Sequence, residues 1–188
     1  MPLWEHELIL RDIDAIAAEL QRLQDAQVTV LWRPIHEASG AWFWWGDSGA
    51  DPYLALWRLL YDRLVNYHGL HNLIWVWNGQ DPAWYPGDVY VDIVSEDIYD
   101  VALDYVPHEQ AYLNALTYAG MPKLVTLSET GVLPGPAWLF ASQARWSWFT
   151  LWSGDYANTE LWNEDPMKLE VYSSELVVTL DELPDLSQ

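Results

Sequence analysis

The sequence predicts an α/β protein in which a parallel β-sheet is covered by helices. Short apolar segments alternate with longer segments whose apolar residues recur at helical spacing. Parallel strands are covered by their connecting helices, so they carry nearly continuous apolar runs instead of an alternating pattern. With 188 residues, 51% of them apolar, the chain is long enough to form one domain around one core.

The first half of the chain is predicted to contain two helices and two strands. Residues 6–26 carry apolar residues at helical spacing, and residues 28–32 read as a fully buried strand. Asp51, followed by proline, is a favourable N-cap, and the helix that it starts is expected to end near Gly69. Residues 73–77 form the second strand. The apolar residues at helical spacing are Ile13, Ile16, Ala17, Leu20 and Leu23 in the first helix, and Tyr53, Leu56, Trp57, Leu60, Tyr61 and Leu64 in the second.

The second half continues the alternation. Apolar runs predict strands at 91–94, 123–127 and 146–152, and helical patterns predict helices at 108–119 and 136–143. A helical tail follows the last strand. Tryptophans inside the strands are expected to belong to the core; they are Trp32, Trp75, Trp146 and Trp148.

Polar and aromatic residues cluster just past the carboxyl ends of the predicted strands. In a (β/α)8 barrel these ends form the single rim at which chemistry takes place. A closed barrel usually takes ~250 residues, and five βα units are too few to close one. The sequence therefore predicts an incomplete TIM-barrel-type fold with an open parallel sheet. The residues at the strand ends are Arg33 to Glu37, Asn78, Asp97 to Tyr99, Glu129 and Trp152.

Two glutamates, Glu37 and Glu129, each end an apolar strand. Cleavage of a glycosidic bond with retention needs two carboxyl groups on opposite sides of one sugar carbon. Five of the 14 tryptophans lie between Trp32 and Trp57, and an indole face is a surface on which a sugar ring stacks. Together these features favour a glycosidase site.

The amino-acid composition limits the classes of molecule that the chain is expected to bind. The chain has 8 basic and 28 acidic residues, for a net charge of −20, which repels nucleic acid and anionic membranes but tolerates a neutral polysaccharide. The absence of cysteine excludes disulfides, thiolate metal sites and a cysteine nucleophile. No segment approaches the roughly 18 apolar residues of a membrane span, and no signal-peptide pattern opens the chain.

A group of acidic residues resembles a metal cluster at first sight. We interpret it as a solvated strand end, because no histidine spacing supports a metal. Neither a metal nor a cofactor is expected. The residues of this group are Asp92, Glu96, Asp97 and Asp100.

Several motifs, in order along the chain, resemble glycoside hydrolase family 26, which contains endo-β-1,4-mannanases built on the (β/α)8 barrel. The resemblance implies that residues 6–188 match the third helix and strands four to eight of the barrel. Residues 1–188 would then form a single catalytic domain that lacks strands one to three. The matching segments are residues 33–46, 72–78, 85–92, 128–131 and the ending 180–186.

The resemblance also implies roles for individual residues. Glu37 would be the general acid/base and Glu129 the nucleophile. An acid/base must be protonated near neutral pH, which apolar neighbours such as Trp42 favour. Tyr99 would donate a hydrogen bond to the nucleophile, and Trp152 would lie under the sugar that becomes covalently bound. The substrate-binding residues implied by the family are Arg33, His36, Trp42, Asp97, Tyr99 and Trp152.

The function implied by the resemblance is that of a secreted, retaining endo-acting hydrolase of mannan, galactomannan or glucomannan. A β-1,3-xylanase or a mixed-linkage glucanase is an alternative within the family. A second alternative is a catalytically inactive fragment that binds polysaccharide weakly, because an open sheet would expose apolar faces. Exposed sheet edges would also permit self-association.

Overall fold

The computed structural model describes residues 3–184, so Asp185 and Leu186 of the closing motif lie outside the described residues. The strands are β1 (Val30–Trp32), β2 (Leu73–Trp77), β3 (Ile93–Ile98), β4 (Leu124–Thr130) and β5 (Phe149–Leu151). The α-helices are α1 (Leu3–Asp25), α2 (Ala50–Tyr61), α3 (Glu109–Ala115), α4 (Pro136–Ala141), α5 (Asp155–Asn158) and α6 (Asp165–Tyr172).

The strands follow the order β1-β2-β3-β4-β5 in the sheet. Val30 is opposite Leu73 in the parallel β1–β2 pair, and β2 and β3 are likewise parallel. The β4–β5 pair is parallel and has an irregular register between Leu127 and Thr130. The predicted fold class, an α/β fold with five βα units of the incomplete TIM-barrel type, is confirmed. None of the helices within residues 3–184 combines the length and apolar character needed to cross a membrane.

The chain divides into two compact units. The first comprises the residues up to Ser95 together with Tyr118–Leu124. The second comprises Glu96–Thr117 and the residues from Val125 onward. Each unit has its own buried apolar residues, such as Trp57 in the first and Leu133 in the second.

Helix α1 buries only part of its predicted apolar stripe. Ile13, Ala17 and Leu20 are buried, whereas Ile16 and Leu23 are exposed. The helical period correctly predicts the helix, but the buried stripe is narrower than the apolar one because charged and polar residues share the rest of the surface.

Helix α2 begins earlier than predicted. Its N-cap is Gly49, so the prediction of Asp51 as the cap is wrong, and Asp51 instead lies in the first turn. An acidic side chain in the first turn is favourable because the amino end of a helix carries partial positive charge. The helix continues as a π-helix over Asp62–Tyr67, and Gly69 follows with a φ of +69°, close to the predicted end.

Strand β1 is not fully buried, contrary to the prediction. Leu31 is 55% exposed and Val28 is exposed before the strand begins. Within residues 3–184, β2 is the only strand paired with β1. The half-buried Val30 and Trp32 alternate with the exposed Leu31, so one face of β1 is covered and the other is open to solvent.

Strands β3 and β4 extend beyond their predicted ends. They continue to Ile98 and Thr130. Their carboxyl halves contain polar residues that are nevertheless buried, among them Glu96 and Asp97. An apolar run marks a strand only as far as its apolar residues continue, so the sequence places these strand ends too early.

Strand β5 is shorter than its predicted range. The chain already runs beside β4 before β5 begins, because the Ser147 N–H donates to the Val125 carbonyl (2.9 Å) and the Leu127 N–H donates to the Trp148 carbonyl (3.0 Å). Of the four tryptophans expected in the core, two are buried and two are half-buried. The buried ones are Trp75 and Trp146, and the half-buried ones are Trp32 and Trp148.

Candidate active site

Glu37 lies in the loop that follows β1, in the left-handed backbone region with a φ of +51°. Its N–H donates to the Asn78 carbonyl (2.7 Å) and to Asn78 Oδ1 (2.9 Å). Asn78 directly follows β2, is fully buried, and donates from Nδ2 to the Ser95 carbonyl (3.1 Å). Left-handed backbone is uncommon for residues other than glycine and concentrates at functional sites. The buried amide therefore holds the glutamate backbone in an unusual conformation.

Trp42 contacts the Glu37 carboxylate. Its Nε1–H donates to Glu37 Oε2 at 3.1 Å. The benzene ring of the indole lies against Gly40, since a Cβ on Gly40 would come within 2.0 Å of Trp42 Cζ3. Trp42 is 62% exposed. It therefore offers solvent a wide aromatic surface next to a carboxylate.

His36 is held among aromatic rings. Its carbonyl accepts a hydrogen bond from Trp45 Nε1 (2.7 Å), and its ring centroid lies 5.0 Å from that of Phe43. Phe43 and Trp45 stack with a centroid separation of 4.4 Å. Arg33 follows β1 directly and is half-buried. The first unit thus collects Arg33, His36, Glu37 and Trp42 in one loop region.

Glu129 is the penultimate residue of β4 and is only 4% exposed. The Tyr99 hydroxyl donates to its Oε2 at 2.6 Å, so the predicted contact between these two side chains is present. A carboxylate oxygen of Asp97 lies within 4.8 Å of a carboxylate oxygen of Glu129, and Asp97 is also buried. The second unit therefore brings Asp97, Tyr99 and Glu129 together.

Trp152 directly follows β5 and lies beside Tyr99. The two ring centroids are 6.3 Å apart with the rings nearly perpendicular. The Trp152 N–H donates to the Thr130 carbonyl (2.9 Å), which anchors its backbone next to the end of β4. The indole is half exposed, so one aromatic surface remains open to solvent near Glu129.

The structure corrects two expectations about the acidic residues. Asp97 and Glu129 were expected just past strand ends but lie inside β3 and β4. The interpretation of a solvated strand end is wrong for Glu96 and Asp97, which are both buried, although Asp92 and Asp100 are exposed. The carboxyl halves of these strands carry the site residues themselves.

Sequence reasoning missed two residues around Tyr99. The Tyr156 ring lies 5.4 Å from the Tyr99 ring, centroid to centroid. The buried side chain of Asn163 donates to the Tyr156 carbonyl and to the Gly131 carbonyl. Tyr156 lies in α5 and Asn163 in the segment after it. Neither residue stands in a motif or directly after a strand, and no signal in the sequence sets them apart.

Comparison with known proteins assigns the chain to a protein family. The model of Glycosyl hydrolase family 26 matches residues 2–182, and the chain belongs to this family. A mannan endo-1,4-beta-mannosidase from Thermothelomyces thermophilus is 49% identical over 178 residues, which is 95% of this chain and 36% of the relative. The chain thus spans about a third of the length of this curated relative.

Solved structures agree with the family match. The GH26-CBM35 beta-(1,4)-mannanase of Podospora anserina superimposes with a TM-score of 0.91 at 45% identity, covering 97% of this chain and 41% of that one. The beta-mannanase from a symbiotic protist of the termite Reticulitermes speratus, complexed with a gluco-manno-oligosaccharide, gives a TM-score of 0.88 at 39% identity. That alignment covers 96% of this chain and 56% of the protist enzyme.

Proposed function

We propose that the chain is part of a retaining endo-β-1,4-mannanase, in which residues 1–188 belong to a single catalytic domain. The observation that carries the proposal is the Glu129 carboxylate, buried in β4 and hydrogen-bonded by Tyr99 (2.6 Å), in a chain of glycosyl hydrolase family 26. The proposed substrates are mannan, galactomannan and glucomannan. Relatives named as mannan endo-1,4-beta-mannosidases support this choice.

Glu129 is the proposed nucleophile. Its carboxylate would attack the anomeric carbon of the sugar and form a covalent glycosyl–enzyme intermediate. A nucleophile must be ionised, and a hydrogen bond donated to a carboxylate favours its charged form. The Tyr99 hydroxyl supplies such a bond. It also fixes the orientation of the carboxylate through one of its oxygens.

Glu37 is the proposed general acid/base. It would donate a proton to the departing glycosidic oxygen, and its carboxylate would then take a proton from the water that attacks the intermediate. The water replaces Glu129 on the anomeric carbon, so two inversions give net retention. This mechanism requires the two carboxyl groups to be about 5–5.5 Å apart.

Aromatic and polar residues complete the proposed binding site. Trp42 and Trp152 expose indole faces, on which the C–H groups of a sugar ring can stack. Arg33, His36 and Asp97 are the proposed polar contacts to sugar hydroxyls. The net charge of −20 favours a neutral polymer over nucleic acid or a membrane surface. We place the reaction outside the cell, as the resemblance implies.

The test is the release of reducing sugar from galactomannan by the purified chain and its variants. Glu129→Ala should abolish turnover, and Glu37→Ala should lower it by about 10²–10⁴-fold. Glu170→Ala, an exposed glutamate on α6, is the matched control and should retain wild-type turnover. With an activated mannoside and azide, Glu129→Ala should give the inverted α-azide and Glu37→Ala the retained β-azide. Wild-type turnover in either site variant would refute the assignment.

The same assay separates the alternatives. Activity confined to β-1,3-xylan or mixed-linkage glucan would replace mannan as the substrate. A folded wild-type chain whose migration is slowed by galactomannan in affinity electrophoresis, but which never cleaves the polymer, would support the alternative of an inactive binding fragment.

Self-association through the outer strands β1 and β5 is a further proposal, because each pairs with one strand only among residues 3–184. Light scattering of the eluting protein would show a dimer mass if it occurs.

A further inference from the structure

Asn163 is a fully buried amide in the segment between α5 and α6. Its Oδ1 accepts the Leu133 N–H (2.8 Å), and its Nδ2 donates to the Gly131 carbonyl (2.9 Å) and to the Tyr156 carbonyl (3.1 Å). An asparagine side chain has two donor hydrogens and one acceptor oxygen, and all of them bond to backbone here. Asn163 therefore ties the segment that follows β4 to the segment that carries Tyr156.

The two backbone segments that Asn163 joins both pack against Tyr99. The Tyr156 ring meets the Tyr99 ring edge to face at 5.4 Å. Gly131 lies so close to both rings that a Cβ there would approach Tyr156 Cε1 to 2.9 Å and Tyr99 Cδ1 to 3.1 Å. The Gly131 N–H also donates to the carbonyl of Ile98, the residue before Tyr99 (3.0 Å). Tyr99 is thus supported on its ring and on its backbone.

We propose that Asn163 is a positioning residue for the nucleophile, acting on Glu129 through Gly131, Tyr156 and Tyr99. The inference rests on the proposed role of Glu129. Tyr99 is 40% exposed, so the buried part of its surroundings must fix its hydroxyl at 2.6 Å from Glu129. Without the Asn163 amide, the Gly131 and Tyr156 carbonyls lose a buried donor, and the support of the Tyr99 ring loosens.

The first test is the pH profile of kcat/KM for Asn163→Ala and Asn163→Asp. Both variants lose the two donated hydrogen bonds, while aspartate keeps the acceptor for the Leu133 N–H. We expect the acidic limb of the profile to move to higher pH, because the carboxylate loses part of its hydrogen bond from Tyr99. We also expect kcat to fall about three- to tenfold with KM changed less than about twofold, as for an interaction used in the transition state.

A control variant distinguishes a change in the position of Tyr99 from a loss of stability of the folded chain. Val171→Ala truncates a fully buried side chain of α6 and destabilises the same unit while it leaves the hydrogen-bonding groups of Asn163 in place. It should lower the unfolding temperature and leave the acidic limb in place. Tyr99→Phe should move the limb as Asn163→Ala does, and the two substitutions combined should add little, because both act through the same hydrogen bond.

A second readout does not need activity. The carboxyl ¹³C signal of Glu129 can be identified as the one that Glu129→Gln removes. Its chemical shift at pH 7 should change in Asn163→Ala, because the hydrogen bond from Tyr99 is weakened, and should stay unchanged in Val171→Ala. An unchanged chemical shift with an unchanged acidic limb would overturn the inference and leave Asn163 a purely structural residue. A changed chemical shift in a chain that never cleaves mannan would support the positioning role while the proposed catalytic function fails.

Discussion

The indole N–H of Trp42 donates a hydrogen bond to the carboxylate of Glu37 at 3.1 Å, five residues away in the sequence. The same indole ring is pressed against Gly40, and most of it faces solvent. One side chain therefore has two separable properties, a hydrogen-bond donor to the proposed acid/base and an exposed aromatic surface.

Substitution of Trp42 separates these properties. Trp42→Phe keeps an aromatic ring but removes the donor, so kcat/KM on galactomannan should fall about three- to tenfold, the size of one net hydrogen bond. Trp42→Ala removes the ring as well and should raise KM further, since sugar stacking is also lost. Initial-rate measurements across substrate concentrations would show the split. Equal losses in both variants would mean that stacking contributes nothing.

Gly40→Ala tests whether the position of the Trp42 ring matters. The new Cβ would overlap the ring, at 2.0 Å from Cζ3, so the indole must move and its bond to Glu37 must lengthen or break. We expect a loss of kcat/KM at least as large as in Trp42→Phe, with wild-type far-UV circular dichroism. Gly135→Ala is the matched control, because its Cβ would meet its neighbours at an ordinary 3.5 Å. Wild-type activity in Gly40→Ala would show that the indole position is not critical.

Apolar patterning predicted the order of strands and helices but placed several boundaries too early. The predicted third strand, residues 91–94, stops where Ser95, Glu96 and Asp97 begin, yet β3 continues through them to Ile98. Burying carboxyl groups is unfavourable unless they are compensated, so a pattern-based rule ends the strand where this run of consecutive polar residues begins. The boundaries were therefore wrong where the polar residues of the site begin.

The sequence predicted only part of the candidate site, because some of its contacts join residues that are far apart in the chain. Tyr99 and Glu129 could be paired from the family resemblance, and their hydrogen bond is present. Asn163 lies 32 residues from Gly131 in the sequence, and its contacts depend on how α4, β5 and α5, which lie between the two residues, pack together. Short-range rules of spacing and capping carry no information about such a contact, so neither Asn163 nor Tyr156 was found.

Asn78→Ala should destabilise the protein and lower its activity together. The buried amide accepts one of the two hydrogen bonds of the Glu37 N–H and donates to the Ser95 carbonyl. In the alanine variant the Glu37 N–H keeps its bond to the Asn78 backbone carbonyl, but the Ser95 carbonyl loses its buried donor, which costs about 1–3 kcal/mol of unfolding free energy. Asn78→Asp keeps the acceptor for Glu37 and should lose less activity than alanine. Urea denaturation and initial rates would be compared with Asn66→Ala, which replaces an exposed asparagine that donates to Asp62. Equal stability of Asn78→Ala and Asn66→Ala would contradict the prediction.

Asp14 on α1 links that helix to the π-helical segment that follows α2. The Arg63 guanidinium donates two hydrogen bonds to its carboxylate, both at 2.8 Å, and His68 Nε2 lies 2.7 Å from Oδ1. Arg63 also lies over the Tyr67 ring, 3.7 Å from its centroid. The hydrogen bonds from Arg63, and then from His68, hold the pKa of Asp14 well below its ordinary value. The carboxylate is therefore bound in its charged form.

The lowered pKa of Asp14 predicts how Asp14→Asn depends on pH. A group whose pKa is lower in the folded than in the unfolded chain stabilises the fold above its unfolded value of about 4, and this stabilisation is lost as the pH falls further. At pH 7, Asp14→Asn should lower the unfolding temperature by a few degrees, and the difference from wild type should shrink as the pH falls from about 4 towards 2. Asp12→Asn, which removes an exposed ion pair with Arg11, should differ little from wild type throughout. Thermal unfolding followed by circular dichroism across this pH range measures both variants. A difference in unfolding temperature between Asp14→Asn and wild type that stays constant down to pH 2 would contradict the prediction. It would show that the ionised Asp14 carboxylate does not stabilise the contact between α1 and the π-helical segment.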